Sequence, residues 1–256
     1  MNSKNSSQPI SRRNMLRASG VLAASGVVLA ACGSSTPIVT RIGEAPTAAK
    51  LEDAMVTDIV LLRTAMSLET MVSSMLGDAS VIANADPKVA PIIAAFAAGH
   101  VAHLEEIRPL IAARGGTAYE ETNAKLMQAY GQTALDLVKE GKVAADSLAL
   151  THALETLVAA TYQYFVSLTT EPALRAGMMR IGVTASRRAA VAAQLIRSGT
   201  TAFAPANDAE GNALVATLPS AFGSLSAVQV ALGPVNDTGS RATVLMDTPS
   251  LNSLIY

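Results

Sequence analysis

From residue 50 to about residue 199 the apolar positions recur at alternating steps of three and four, the period of a helix with one buried face. Met55, Ile59, Leu62, Met66, Glu69, Ser73 and Leu76 make the first such stripe. Glu69 therefore points inward. A second stripe starts near Asp86 and Pro87, an N-cap residue followed by proline at the first helical position. It continues through Val89, Ile93, Phe96, His100, His103, Ile107 and Leu110, so both histidines fall on the apolar face. Pro109 predicts a kink near the end of this helix, and Gly115-Gly116 predicts its stop.

Residues 120–141 carry a weaker stripe (Leu126, Tyr130, Leu135, Val138), which suits a long crossover between two halves of a bundle. Leu148, His152, Glu155, Ala159, Tyr162 and Val166 define a third core helix. Met178, Ile181, Ala185, Arg188, Ala192 and Leu195 define a fourth, and Glu171-Pro172 separates the two. The expected architecture is all-α, an antiparallel four-helix bundle over residues 50–199. After Gly199 the composition turns to Gly, Pro, Ser, Thr and Asn, with two short strand-like runs at 228–232 and 242–246. These predict a β-hairpin through Pro234 to Arg241. Residues 200–256 are too few for a second core and read as a tail that wraps the bundle.

Composition agrees with this picture. Half of the chain is apolar, much of it alanine, aromatics are 4%, and there is no Trp, which suits closely packed helices. The first 31 residues are of another kind. Ser11-Arg12-Arg13-Asn14-Met15-Leu16 is a twin-arginine signal, and the apolar run at 21–31 is too short to span a bilayer. It ends in Leu29-Ala30-Ala31-Cys32-Gly33, which resembles the lipobox of bacterial lipoproteins. Cys32 is the only cysteine, so it has no disulfide partner within the chain and is the expected lipidated residue. Residues 32–49 read as a flexible tether. Removal of 1–31 takes away Lys4, Arg12, Arg13 and Arg17 and no acid, which moves the formal charge from −1 to −5. Nothing in that balance favours nucleic acid as a partner.

The chain has three histidines, His100, His103 and His152, and all lie on predicted inward seams together with Glu69 and Glu155. Antiparallel helices carrying such residues are how a bundle builds a metal site in its core. His152 stands one turn before Glu155 and reads as a hydrogen-bonded core residue; Tyr162 reads as packing. No Gly-rich phosphate loop, Gly-x-Ser-x-Gly elbow or His-Glu-x-x-His motif occurs. Most of the methionines lie at core spacing, which speaks against a copper-binding methionine box.

Asp58-Ile59-Val60-Leu61-Leu62, Ser67-Leu68-Glu69, the stretch from His100 to Glu105, Gly115-Gly116, Leu154-Glu155 and Arg187-Arg188-Ala189-Ala190 together resemble the ferritin-like family of exported bacterial and plant desiccation-related proteins. The resemblance covers residues 51–199. It implies a site built like that of the di-iron carboxylate proteins, with one Glu from each of two helices and a Glu-x-x-His pair from each of the other two. Carried across, the first-helix Glu falls on Glu69 and the third-helix Glu on Glu155. His103 matches the second-helix His, and His100 takes the place of its Glu. The fourth-helix pair falls on Ala185 and Arg188, neither of which can bind a metal.

Three readings of the core follow. In the first there is no cofactor: Arg188 replaces the metal as counter-charge, pairing in bidentate fashion with Glu155 or Glu69. In the second a single iron, manganese or zinc ion is held by Glu69, His100, His103 and Glu155. In the third the site is an oxidative di-metal centre. The missing fourth-helix ligands argue against an enzyme. The expected protein is thus an exported lipoprotein on the outer face of the cell membrane with a degenerate di-metal site. It would serve as a structural or binding component of the envelope, with an envelope protein or a second copy of itself as partner. The alternative is a metal-binding protein in metal handling or oxidant defence, for which twin-arginine export of folded proteins is suggestive.

Overall fold

A computed structural model describes residues 56–197, 199, 209–211 and 228–256. The signal at 1–31, Cys32, the tether at 32–49, Met55 and nearly all of 200–227 lie outside the described residues.

Thr57 starts the first helix, α1 (Asp58–Leu76), by accepting the Val60 N–H on its hydroxyl at 3.3 Å. Asp78 caps a short helix that no stripe predicts, α2 (Ala79–Asn84), through the Ser80 N–H. The next helix, α3 (Ala90–Ala112), begins later than Asp86-Pro87 suggests. The Asp86 carbonyl is used to close a turn, accepting from Val89 and Ala90, and Pro91 is the proline of the first helical turn. Pro109 lies inside α3, which runs on to Ala112. Asn123 caps α4 (Ala124–Leu126), which passes through a π-helical turn (Met127–Gly131) into α5 (Gln132–Gly141). Lys142, in the left-handed region at φ 49°, stops it. Two long helices follow, α6 (Ala144–Leu168) and α7 (Pro172–Ile196).

The protein is mostly helical, and its four long helices meet in neighbouring pairs: α1 with α3, α1 with α6, and α6 with α7. α1 has the composition of a membrane span, with a mean hydropathy of 1.3, yet 72% of that window is buried inside the protein. It is a central core helix. Leu61, Leu62, Met66, Leu68, Met71, Met75 and Leu76 are all essentially inaccessible, each contributing roughly 1.5–3 kcal/mol by burial. α6 and α7 approach closely where Gly182 faces Tyr162; a Cβ there would stand 2.9 Å from the Tyr162 Cβ. The 113–143 connection starts beside Ile59, which touches Gly116, at the beginning of α1. It ends at the start of α6, where the Ser147 hydroxyl donates to the Val81 carbonyl of α2 at 2.7 Å, past the other end of α1. It therefore travels the length of the helices.

The two strands form as the alternation predicts. β1 (Val228–Leu232) pairs antiparallel with β2 (Ala242–Met246), Val228 opposite Met246 and Leu232 opposite Ala242. Val228, Val230 and Leu232 are buried, and β1 packs on α6. Asp146, fully buried near the start of α6, accepts the Gly233 N–H at 2.7 Å and a hydrogen bond from Arg241. Farther along, the Tyr130 hydroxyl donates to the Asp247 carbonyl, Asn123 to the Ser253 carbonyl, and the Ile255 N–H to the Thr64 hydroxyl. One stripe position departs from expectation: Leu195, read as core, is 43% exposed. A seven-residue repeat drifts about 20° around a straight helix per heptad, and by the end of α7 that drift has carried Leu195 off the buried face.

Candidate functional site

Four helices each bring a polar side chain to one place in the apolar interior. Glu69 comes from α1, His100 and His103 from α3, Glu155 from α6, and Arg188 from α7. Glu69, His100 and Glu155 are completely inaccessible and His103 nearly so. The His100 ring lies between the two carboxylates. Its Nδ1 is 2.6 Å from Glu69 Oε2 and its Nε2 is 3.0 Å from Glu155 Oε1. One turn on, His103 places its own Nδ1 3.1 Å from the same Glu69 oxygen, with the two rings edge to face at 89°.

A histidine hydrogen-bonded to a carboxylate through both nitrogens is an imidazolium. Burial alone would push the His100 pKa down, but the Glu69 charge and hydrogen bonds to Glu155 and Glu69 outweigh it and raise it to about 9. Burial would likewise raise Glu69, and is outweighed by the His100 charge and by hydrogen bonds from both histidines, which hold it at about 2. Tyr162, fully buried, is pushed well above its ordinary value by burial and then by the Glu69 charge. Its hydroxyl is thus close to Glu69, although it makes no hydrogen bond of good geometry.

Arg188 does not fork onto a carboxylate. One guanidinium nitrogen, Nη1, is 3.9 Å from Glu155 Oε1, an ion pair without a hydrogen bond. The guanidinium lies over the Phe96 ring at 5.6 Å and fills the space beside Gly99, where any Cβ would come within 1.8 Å of Nη2. The bidentate pairing expected of Arg188 is therefore replaced by a closer partner: His100 is the nearest positive charge to both carboxylates. It reaches across from α3 to α6, which no single-helix stripe reveals. Gly99 is a contributor that no stripe marks, while Phe96 lies on the second stripe but gives no sign there of its contact with Arg188. The available signal was a glycine beside His100 in a helix otherwise rich in alanine. His152 stands apart from the cluster. Its Nε2 has no partner, and burial, with the charge of Arg197, lowers its pKa to about 4.

The donor chemistry decides what the cluster can hold. Ligating atoms of Glu69, His100 and His103 lie within 4.8 Å of one another, enough for one ion. Two ions do not fit. On α7 Ala185 is buried and has no donor, and the Arg188 guanidinium beside the cluster stays protonated and cannot ligate. Four buried polar atoms around the cluster lack a hydrogen-bond partner: Glu69 Oε1, Glu155 Oε2, the Tyr162 hydroxyl and Arg188 Nη1. A surface groove of about 450 Å³ between α3 and α7, bordered by Glu106, Arg114 and Arg180, is lined by none of these residues.

No family model, curated protein or solved structure matches the chain.

Proposed function

We propose that this protein is a degenerate ferritin-like four-helix bundle, exported by the twin-arginine route and held on the outer face of the cell membrane by a lipid on Cys32. In it the family's di-metal centre has become a metal-free ion cluster, and it serves as a structural or binding component of the envelope. The observation that carries this reading is the charge count in the core. Glu69 and Glu155 supply two negative charges; the His100 imidazolium and the Arg188 guanidinium supply two positive ones. The cluster is neutral as it stands. A divalent ion taking the place of the His100 proton would leave a buried excess of positive charge beside Arg188, which is costly in a low-dielectric interior. The antiparallel pairs and the end-to-end 113–143 connection support the ferritin-like arrangement.

Elemental analysis of protein purified without chelator, together with melting in the presence of zinc, manganese or ferrous iron, tests it. Substoichiometric metal and an unchanged Tm are expected. An ion bound at one per chain would stabilise the native state by RT ln(1 + [L]/Kd), about 2.7 kcal/mol at a hundredfold excess over Kd. That result would replace this reading with the second one, a mononuclear iron, manganese or zinc protein. The convergence of Glu69, His100 and His103 is the observation that favours that alternative.

A further inference from the structure

We propose that the outward face of α7 docks onto an anionic phospholipid membrane. Among the described residues, four of the nine exposed large apolar side chains, Met179, Val183, Val191 and Leu195, lie on the outward side of α7. Met179, Val183, Val191 and Leu195 share a four-residue spacing whose remaining member is Arg187, also exposed. They make one stripe along the side of α7 away from the core. Arg180 stands on the same side, its side chain 70% exposed and paired at 2.7 Å with Glu106 of α3. Arg180 and Arg187 are the arginines on this side, and α7 carries no acid from Pro172 to Ile196, in a chain whose net charge is −1. An apolar stripe set with arginines on an acidic protein is the composition of a helix that lies in a headgroup layer. Its aliphatic side chains enter the acyl boundary, while arginine stems snorkel and the guanidinium forks onto phosphate oxygens.

Charge selects this occupant over a second copy of the chain. A twofold contact sets the same surface against itself, so Arg180 and Arg187 of one copy would meet those of the other, and the one acid at the edge, Glu106 of α3, is already paired with Arg180. Phospholipid headgroups of negative charge complement them instead. The proposal rests in part on the lipid anchor at Cys32. The stretch from Cys32 to Val56 reaches about 80 Å when extended, so an anchored domain stays within touching distance of the bilayer.

The chain has no tryptophan, which gives a clean probe. Val183→Trp on α7 and, as control, Leu245→Trp on the hairpin, an exposed position at 55%, are made in the full lipidated protein. Each is reconstituted with vesicles of phosphatidylcholine alone or mixed with phosphatidylglycerol. The expected result is a blue shift of V183W emission that requires phosphatidylglycerol and weakens with salt, and no shift for L245W. Adding Arg187→Gln to V183W should lower the ratio of docked to undocked protein about fivefold. Flotation with vesicles, compared with Cys32→Ser, reads the anchor separately. A chain that floats through Cys32 without the V183W shift keeps the anchor and loses the docking surface. A Cys32→Ser chain that still shows the V183W shift when vesicles are added keeps the surface without the anchor. A V183W emission already blue-shifted in buffer, or one that shifts with protein concentration in the absence of lipid, overturns the proposal in favour of a protein covering for this face.

Discussion

Two buried carboxylate sites in this protein are built to different standards. At Asp146 both oxygens are used: one accepts from Gly233, the other from Arg241, and the Arg241 Nε in turn donates to the Gly233 carbonyl at 2.8 Å. At the central cluster each carboxylate is bonded through one oxygen only, and a tyrosine hydroxyl and an arginine nitrogen beside them have no partner. The first site closes every valence because its task is mechanical, holding the hairpin on α6. The second keeps its helices together with a bridging imidazolium and leaves polar atoms over. A buried polar group that is half satisfied costs free energy and persists only when its surroundings dictate it.

The largest test removes the bridge. His100→Leu strands two buried carboxylates at once, and unfolding by denaturant should show a loss of about 3–5 kcal/mol. Combining it with Glu69→Leu and Glu155→Leu should recover most of that loss, because an apolar core has no charge left to compensate. A single His100→Leu variant as stable as the parent would show that another cation already neutralises both acids.

The same bridge sets the pH range. His100 has a folded pKa of about 9 against its ordinary 6.5, so its contribution is complete below 6.5 and is lost as pH rises through 9. Glu69, at about 2 against 4.5, contributes fully above 4.5 and loses its share as pH falls through 2. The groups facing His100 from every side are Glu69, Glu155, Tyr162, His103 and Arg188, and only the acids favour its charged form. Stability should therefore be flat between about pH 4.5 and 6.5 and should fall by about 3 kcal/mol on the alkaline side. Urea titrations across pH 5 to 10 measure it. A profile that does not decline on the alkaline side would remove the imidazolium from the account.

At the other site Asp146→Ala should cost about 2 kcal/mol, since it leaves the Gly233 N–H and Arg241 without their acceptor. The damage should be local: faster amide exchange in the hairpin, with the 69–100–155 cluster unaffected. Loss of protection in α3 as well would mean that the two sites are mechanically one.

How much of this could be read from residues alone follows the range of the interactions. The three-four stripes place Glu69, His100, His103 and Glu155 inward because burial is a property of one helix face, and all four are buried. The hairpin register follows from alternation in two short runs. What escapes the stripes depends on distances between helices. Whether His100 or Arg188 lies nearer the acids is decided by the α3 to α6 separation and by the gap at Gly99, and neither leaves a periodic mark. Helix starts fail for a local reason: Asp86-Pro87 has the composition of a cap, but its carbonyl closes a turn first, so α3 begins at Ala90. The exposed end of α7 fails because a repeat of seven does not divide evenly into helical turns.

The smallest expected effect belongs to Arg188, and it sharpens the comparison most. Its ion pair with Glu155 is 3.9 Å long without a hydrogen bond, and Glu155 keeps its bond from His100, so Arg188→Leu should cost less than His100→Leu, about 1–2 kcal/mol. The informative readout is the His100 titration, followed by NMR. Arg188 is a positive charge near another, so its removal should raise the His100 pKa further and carry the alkaline decline in stability to higher pH. Gly99→Ala should move the titration in the same direction without touching any ionisable residue, because the new methyl occupies the place of the guanidinium and drives it away from Glu155. If instead Arg188→Leu costs as much as His100→Leu, then the arginine shares the counter-charge equally. The central cluster would then be a closed salt-bridge network of the same kind as Asp146.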